Sequence, residues 1–425
     1  MKETWNVLNR VINEKYSSHS DLPNVFVDNG KEIKGEDIAD GFNNFFVNVG
    51  PRLASTIPDQ AGSAVYDYLD HNNPLSMFLA ETSETEILEI VKNCKSKTSA
   101  DCNDLSMLLL KEIINYVIKP FTHICNLSFL TGVFPNNMKV AKVIPIFKNG
   151  NVHSFSNYRP ISLLPQFSKV LEKLFDKRMD TFIGKYNLLN DSQYGFRSGR
   201  STSMALLQLN EELTHALDSK LSTVGVFIDL KKAFDTIDHL SLLKKLEYYG
   251  FRGIVHKWLT SYLSNRKQYV HVGNVNSNTR DMVCGVPQGS ILGPKLFILY
   301  INDICSVSKI MKFVLFADDT NIFCSHPDIS TLCTLVSAEL LRLSIWFHVN
   351  KLSLNVDKTH FMIFSNSVIN LNVQIHINGR CIDRVAHTKF LGILIDDKLN
   401  WKPHISHFTK KLSKCNAVLY RASKV

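Results

Sequence analysis

The sequence lacks several features that would assign it to common classes of protein. No apolar run reaches the roughly 18–20 residues that a membrane-spanning helix needs, and the N-terminal stretch MKETWNVLNR has no apolar core of a signal peptide. The nine cysteines form no Cys-x-x-Cys pair and no cluster with histidine. These absences favour an intracellular protein, in the nucleus and cytoplasm, with no membrane contact and with buried, reduced thiols rather than disulfides or zinc.

Acidic residues are scarce in the body of the chain. Residues 1–90 hold 15 acidic and 6 basic residues, yet the whole chain of 425 residues has a net charge of +9, and no acidic residue follows Lys398. With 45% hydrophobic and 20% charged residues, the composition is that of a globular protein with one large or two medium domains. A basic body suits a polyanionic partner, although a solvated surface can carry the same bias.

The stretch Met311–Cys324 (MKFVLFADDTNIFC) predicts a β-hairpin with two carboxylates at its tip. Both arms are rich in Phe, Val, Leu and Ile, and acidic residues resist burial, so Asp318 and Asp319 fall at the bend. The two charges repel each other, and a bound divalent cation would remove that penalty. A second pair, Asp396–Asp397, is interpreted as an ordinary solvated turn.

Two upstream stretches support a shared site. Thr223–Ile228 is a β-rich run that ends in Asp229, and Gly285–Pro294 (GVPQGSILGP) is a glycine-rich turn before a predicted helix. VFIDLKKAFD, GVPQGSILGP and FADD resemble motifs A, B and C of the reverse transcriptase domain of non-LTR retrotransposons, of the LINE type and close to the jockey-like group. The resemblance extends over about Asn126–Trp401, and the order of the motifs matches.

The resemblance implies an α+β right-hand polymerase with fingers, a palm and a partial thumb, preceded by a helical N-terminal extension. Residues 1–125 would form the extension, 126–395 the fingers and palm, and 396–425 the start of an incomplete thumb. The extension resembles the connector after the endonuclease of LINE proteins, so a fragment or truncated copy is expected. Apolar periodicity predicts the following early helices: Met1–Asp21, Asp37–Leu53, Thr82–Thr98, and Leu105–Gly132 with an interruption near Pro120.

The implied activity is RNA-directed DNA synthesis from a DNA 3′-hydroxyl. Its partners would be an RNA template, a DNA primer or nicked target DNA, and dNTPs. Asp229, Asp318 and Asp319 would bind two Mg²⁺ ions, with Mn²⁺ as a possible substitute, because nucleotidyl transfer builds charge on the attacking and leaving oxygens. Three separate solvated acids are the alternative interpretation.

The resemblance also assigns substrate contacts. Lys148 and Arg159 would hold the triphosphate, although charges on a solvated edge strand would look the same. Phe234 would exclude a 2′-hydroxyl, unless it is simply a core aromatic residue. Gln288, beside Gly289, has an amide that can hydrogen-bond a sugar hydroxyl or a template base, and the resemblance places it over the incoming nucleotide.

Contacts to nucleic acid and to the leaving group follow from the same resemblance. Arg197 and Arg200 could track template phosphates, and Phe390, Leu391 and Gly392 resemble a primer-grip hairpin. Lys358 matches a lysine of motif D, a candidate general acid for pyrophosphate departure, and a plain surface lysine is the rival interpretation.

Asp235 and Asp238, which follow the motif A strand in FDTIDH, are interpreted as helix-capping acids rather than metal ligands. Three other functions stay open. An RNA-dependent RNA polymerase would need a small or polar residue in place of Phe234. The connector Asp37–Leu53 argues against a maturase-like RNA-binding protein. The intact carboxylates argue against an inactive or co-opted copy that only binds nucleic acid.

Overall fold

The computed structural model describes residues 22–28, 30–57, 65–69, 73–366 and 373–422, which form a mixed α+β fold. The predicted helix Met1–Asp21 lies outside the described residues. The α-helices within them are α1 (Asp37–Ser55), α2 (Glu84–Asn93), α3 (Met107–Thr131), α4 (Gln166–Lys185), α5 (Thr202–Asp218), α6 (His239–Tyr248), α7 (Ile254–Leu263), α8 (Gly293–Tyr300), α9 (Ile329–Val349) and α10 (Lys402–Ala422).

The strands among the described residues belong to four sheets, two of which are two-stranded hairpins. They are β1 (Val25–Asp28), β2 (Lys31–Lys34), β3 (Val140–Phe147), β4 (Tyr158–Leu163), β5 (Ser222–Ile228), β6 (Arg266–Val272), β7 (Val275–Asn276), β8 (Arg280–Met282), β9 (Lys312–Phe316), β10 (Asp319–His326), β11 (His360–Phe364), β12 (Ile375–Ile377), β13 (Arg380–Arg384), β14 (His387–Phe390) and β15 (Ile393–Asp396).

A six-stranded sheet in the order β12-β13-β11-β5-β10-β9 forms the centre of the fold. Every residue of β5 is buried, which explains its continuous run of small and β-branched residues instead of an alternating pattern. Gly225 in β5 leaves room for the rings of Phe323 and Phe364, which a Cβ would meet. The sheet therefore packs tightly through its central strand.

Helix α9 covers the six-stranded sheet. By length and composition it could cross a membrane. Its apolar side nevertheless packs into the core, where Leu340, Leu343 and Trp346 are fully buried. Its composition thus reflects its place as a core helix of this fold.

A five-stranded sheet, with β4-β3-β6-β7 in a row and β8 paired to β6, lies beside α1. The N-terminal extension is not wholly helical, because β1 and β2 form a hairpin that the sequence did not predict. Phe26 of this hairpin stacks on Phe155 at 4.8 Å and meets Phe42 of α1 edge-on at 4.9 Å. The extension therefore shares a core with the sheet.

Helix α3 runs through Pro120 without a break, so the predicted interruption is wrong. Pro120 lies on the exposed side of the helix, where water can hydrogen-bond the carbonyl that its missing N–H leaves unpaired. Serine caps mark the first turn of three helices, because the side chains of Ser83, Ser106 and Ser201 each accept a backbone N–H.

The cysteines are free thiols, but few are buried. Cys125 and Cys324 lie in the core, whereas Cys381 and Cys415 are exposed. The expectation of buried thiols therefore holds for part of the set only.

The prediction that Asp396 lies in a solvated turn is wrong. It is 5% exposed, and its carboxylate accepts the N–H groups of Lys398, Asn400 and Trp401 at 2.9–3.2 Å. Asp397 is only half-buried. One acid of the pair therefore shapes the turn that leads into α10.

The Asp396–Asp397 pair gives a matched test of this turn. Asp396→Ala should destabilise the fold by about 2 kcal/mol, because three backbone N–H groups lose their acceptor. Asp397→Ala should cost less than about 0.5 kcal/mol. Urea unfolding followed by circular dichroism measures both, and equal losses would contradict the role of Asp396.

Candidate functional site

Strands β5 and β10 bring the motif carboxylates to one end of the six-stranded sheet. The antiparallel register pairs Ile228 with Thr320. Continued by one residue, this register sets Asp229, which directly follows β5, opposite Asp319. Asp318 lies in the turn between β9 and β10, directly before Asp319. Opposite residues of antiparallel strands have Cα atoms roughly 4.5–5.5 Å apart. Residues almost 90 positions apart along the chain are therefore neighbours in space.

The two carboxylates of the hairpin, Asp318 and Asp319, both have raised pKa values. Partial desolvation, then the negative charges of Asp318 and Asp229, raise the pKa of Asp319 to about 6. Desolvation and the charge of Asp229 also raise the pKa of Asp318, while Lys148 and Arg159 oppose the rise. Neighbouring negative charge therefore adds to the effect of desolvation at both aspartates.

Asn355 orients Asp229, and the sequence interpretation missed it. Its Nδ2 donates to Oδ2 of Asp229 at 2.6 Å, and its backbone N–H donates to the Asp229 carbonyl at 2.8 Å. Asn355 lies in the same NKLSLNVDKT stretch that supplied Lys358. In the sequence, Asn355 is only an amide residue close to a predicted site residue. Its role becomes visible only through its hydrogen bond to Asp229.

Two cations act on the carboxylates, and two more lie near those cations. Lys148 and Arg159 lie at the β3–β4 hairpin, close enough to act on Asp318, and both are exposed. Lys358 is exposed and lies near Lys232. The Nζ of Lys232 donates to the Tyr158 carbonyl, and burial lowers its pKa. Lys232 was not predicted, because a second lysine in LKKAFD carries no distinguishing pattern.

The carboxylates suit a hard divalent cation, but they do not form a closed cage. Within the part of the chain that the structure describes, no group of three His, Cys, Asp or Glu side chains is arranged to hold a metal ion. Carboxylate oxygens are nevertheless the ligands that magnesium prefers, and it accepts as few as one or two from a protein. The mutual repulsion at Asp319 is the kind of strain that a cation relieves.

Phe234 borders the site at the turn after β5. Its ring is half-buried, stacks on Phe297 of α8 at 4.6 Å, and meets the exposed Phe196 edge-on at 6.4 Å. The ring is thus supported by the core on one side and meets Phe196 on another. The structure supports the interpretation of Phe234 as a core aromatic residue and leaves its role toward the 2′-hydroxyl as a prediction.

Gln288 is held by Asp235. Its Nε2 donates to Oδ1 of Asp235 at 2.8 Å, and burial raises the pKa of Asp235 to about 6. The capping role predicted for Asp235 is therefore wrong, because its carboxylate binds a side chain 53 residues away. Asp238 does cap α6, since it accepts the N–H of Ser241 at 2.9 Å.

The Gly285–Pro294 loop is fixed from two sides. The fully buried carboxylate of Glu172 accepts the N–H groups of Ile291 and Leu292 ahead of α8. Gly289 has a φ of +129° and lies against the carbonyl of Ser162, where a Cβ would collide. The loop is therefore rigid where it presents Gln288.

Arg197 and Arg200 are engaged within their own loop. Arg197 donates to the carbonyl of Asn190 at 2.7 Å, and Arg200 forms an ion pair with Asp191 at 2.7 Å. Arg200 also lies over the ring of Tyr194 at 5.2 Å. The structure thus gives both arginines a local role and leaves their predicted contact with a template as a prediction.

Phe390, Leu391 and Gly392 belong to the β14–β15 hairpin, which is a sheet of its own. Phe390 is 3% exposed and packs against Phe227 at 6.1 Å, so its side chain is part of the core. Leu391 and Gly392 form the turn, both with positive φ, and Gly392 is exposed. Of these three residues, Leu391 and Gly392 in the turn are accessible, and their contact with nucleic acid stays a prediction.

Asp235 makes stability depend on pH. Its folded-state pKa of about 6 lies above the ~3.9 of an unfolded aspartate, so its contribution is fully present below about pH 4 and is lost as the pH rises through 6. Asp235→Asn keeps an acceptor oxygen but does not titrate. We expect the unfolding free energy of the unmodified protein, relative to this variant, to fall by at most about 3 kcal/mol between pH 4 and 7. Denaturant titrations at each pH measure both proteins, and a difference in unfolding free energy that does not change with pH would contradict this.

Comparisons with known proteins identify the family of this chain. The family described as Reverse transcriptase (RNA-dependent DNA polymerase) matches residues 146–395. The probable RNA-directed DNA polymerase from transposon BS of Drosophila melanogaster is 30% identical over 360 residues, which cover 81% of this chain and 39% of that protein.

Two further relatives come from the same organism. The RNA-directed DNA polymerase from mobile element jockey is 26% identical, over 82% of this chain and 39% of the relative. The probable RNA-directed DNA polymerase from transposon X-element is 28% identical, over 81% and 38%. The chain thus spans about two fifths of the length of these relatives, and within that span it belongs to the reverse transcriptase family, in its LINE type.

Proposed function

We propose that this chain copies RNA into DNA from a DNA 3′-hydroxyl, as part of a non-LTR retrotransposon protein. The observation that carries the proposal is the register of β5 and β10, in which Asp229 lies opposite Asp319 with Asp318 beside it. Lys148 and Arg159 add positive charge at the same end of the sheet. Carboxylates for metal and cations for phosphate are the two requirements of nucleotidyl transfer.

In this proposal the fold is a right hand. The six-stranded sheet with α9 is the palm, the five-stranded sheet with β3 and β4 belongs to the fingers, and α10 begins the thumb. Helix α10 exposes Lys402, Lys410 and Lys414 and has no acidic residue among its described side chains. Such a helix suits the phosphates of a template–primer duplex. The two strands of that duplex would be an RNA template and a DNA primer or nicked target DNA.

Asp229, Asp318 and Asp319 would hold divalent cations, Mg²⁺ in the first place and Mn²⁺ as a substitute. Two such ions would stabilise charge on the attacking and leaving oxygens of the phosphoryl transfer. Asn355 keeps the Asp229 carboxylate turned in one direction through its 2.6 Å hydrogen bond. Because the chain supplies few ligands, the substrate phosphates would complete the coordination.

The remaining predicted residues would contact different parts of the dNTP. Lys148 and Arg159 bind the triphosphate, Phe234 fills the space of a 2′-hydroxyl, and Gln288 hydrogen-bonds the nucleotide or its template base beside Gly289. Gln288 donates one N–H to Asp235, which leaves its Oε1 as the acceptor toward the substrate. Lys358 is an exposed lysine next to this site, suited to protonate the departing pyrophosphate.

The carboxylate assignment has a direct test. Asp318→Ala should lower nucleotide incorporation by at least about 1,000-fold, because a ligand that stabilises the transition state by several kcal/mol is lost. RNA binding should stay largely intact. Primer extension on poly(rA)–oligo(dT) measures the first quantity, and a filter-binding titration the second.

Asp397→Ala is the matched control, since it changes the second acid of the other Asp-Asp pair. It should leave incorporation unchanged. Full activity of the Asp318 variant would refute the proposed site. RNA binding without incorporation by the unmodified protein would favour a copy that only binds nucleic acid.

Phe234 should set the choice of sugar. Phe234→Ala should raise the ratio of rNTP to dNTP incorporation by about tenfold or more, because space opens for a 2′-hydroxyl. The ratio is measured within one preparation, so the packing lost against Phe297 does not affect it. Phe234→Tyr keeps the ring and should keep the ratio, and an unchanged ratio in the alanine variant would remove Phe234 from this role.

A further inference from the structure

The segment Ser192–Gly195 packs along the carboxylate hairpin. The N–H of Tyr194 donates to the carbonyl of Leu315 at 2.8 Å, and the N–H of Leu315 donates to the carbonyl of Ser192 at 2.9 Å. These bonds form a short parallel bridge to β9. We name Ser192–Gly195 the brace.

Gln193 connects the brace to the tip of the hairpin. Its side chain is 1% exposed, and its Oε1 accepts the N–H of Gly195 at 2.7 Å and the N–H of Ala317 at 3.1 Å. Gly195 permits this approach, because a Cβ there would collide with the backbone nitrogen of Ala317. A single buried amide thus grips the residue directly before Asp318.

Ala317 needs such support. Its φ is +56°, in the left-handed region that residues with a Cβ rarely adopt. Left-handed backbone in a residue other than glycine is strained and persists only where its surroundings hold it. The direction in which the chain leaves Ala317 decides where the carboxylates of Asp318 and Asp319 lie.

We infer that Gln193 is a positioning residue for the catalytic hairpin, acting through the backbone of Ala317. The inference rests on the proposed function for its kinetic consequence, but its structural part stands independently. Gln193 touches no reacting group in this account. It holds the strained turn so that Asp318 and Asp319 face Asp229.

Hydrogen exchange of the metal-free protein, read by mass spectrometry, tests the structural part. Gln193→Ala should speed exchange of the Ala317 amide by about fivefold to tenfold, because the hydrogen bond to Oε1 is lost. Exchange in β11, in the same sheet but away from the turn, should not change. Unchanged exchange at Ala317, or equal acceleration in β11, would overturn the inference.

Primer extension tests the kinetic part. Gln193→Ala should lower the incorporation rate by about 10–100-fold, since small misplacements of reacting groups have effects of that size, while the Kd for the RNA–primer duplex stays the same. Gln208→Ala is the control. It removes a side chain that contacts the Tyr194 hydroxyl of the brace but makes no bond to the turn. Its incorporation rate should equal that of the unmodified protein.

A double variant decides whether the effect passes through Ala317. Glycine adopts positive φ at no steric cost. The fold loss of incorporation rate caused by Gln193→Ala should therefore be at least about threefold smaller in the Ala317→Gly background than in the unmodified one. Additive losses would refute the coupling. Failure of the unmodified protein to incorporate nucleotides would instead refute the proposed function, and the exchange measurement would still decide the role of Gln193.

Discussion

Repulsion between like charges is the constraint around which this end of the molecule is organised. The pairing of β5 with β10 brings Asp229 opposite Asp319, and the neighbouring negative charges contribute to the raised pKa of Asp319. Nothing in a folding chain favours such an arrangement by itself. It persists because the central strand β5 of the sheet is buried along its whole length, and because Asn355 fixes one carboxylate while Gln193 holds the turn that carries the others. Stability in the sheet offsets strain at its end, which is typical of functional sites.

The family model matches from residue 146 onward, but residues before 146 also contact the loops around the candidate site. Helix α1 approaches the turn after β5 so closely that a Cβ on Gly50 would collide with the carbonyl of Asp235 and the sulfur of Cys284. The ring of Phe45 lies 6.0 Å from the Nζ of Lys232. The N-terminal extension therefore supports the loops that present Phe234 and Gln288.

Local patterns predicted the parts of the structure that local forces determine. Two apolar arms with a pair of acids between them were enough to predict the β9–β10 hairpin. The cap at Asp238 was predictable from local sequence, since its partner Ser241 is three residues away. Asp235 has the same local pattern, but its partner Gln288 is distant in sequence, so the capping prediction failed. Gln193 and Asn355 were missed for the same reason. An amide in a loop acquires a role only when the fold brings a backbone group to it.

Strand β9 is the last strand of its sheet, and such a strand presents unpaired backbone groups to any other extended chain. The brace occupies both the N–H and the carbonyl of Leu315, in the middle of that edge. The same contact that steadies the hairpin also prevents a neighbouring molecule from adding a strand there. Loss of the brace would therefore expose the protein to self-association through its sheet edge, a hazard distinct from any loss of chemistry.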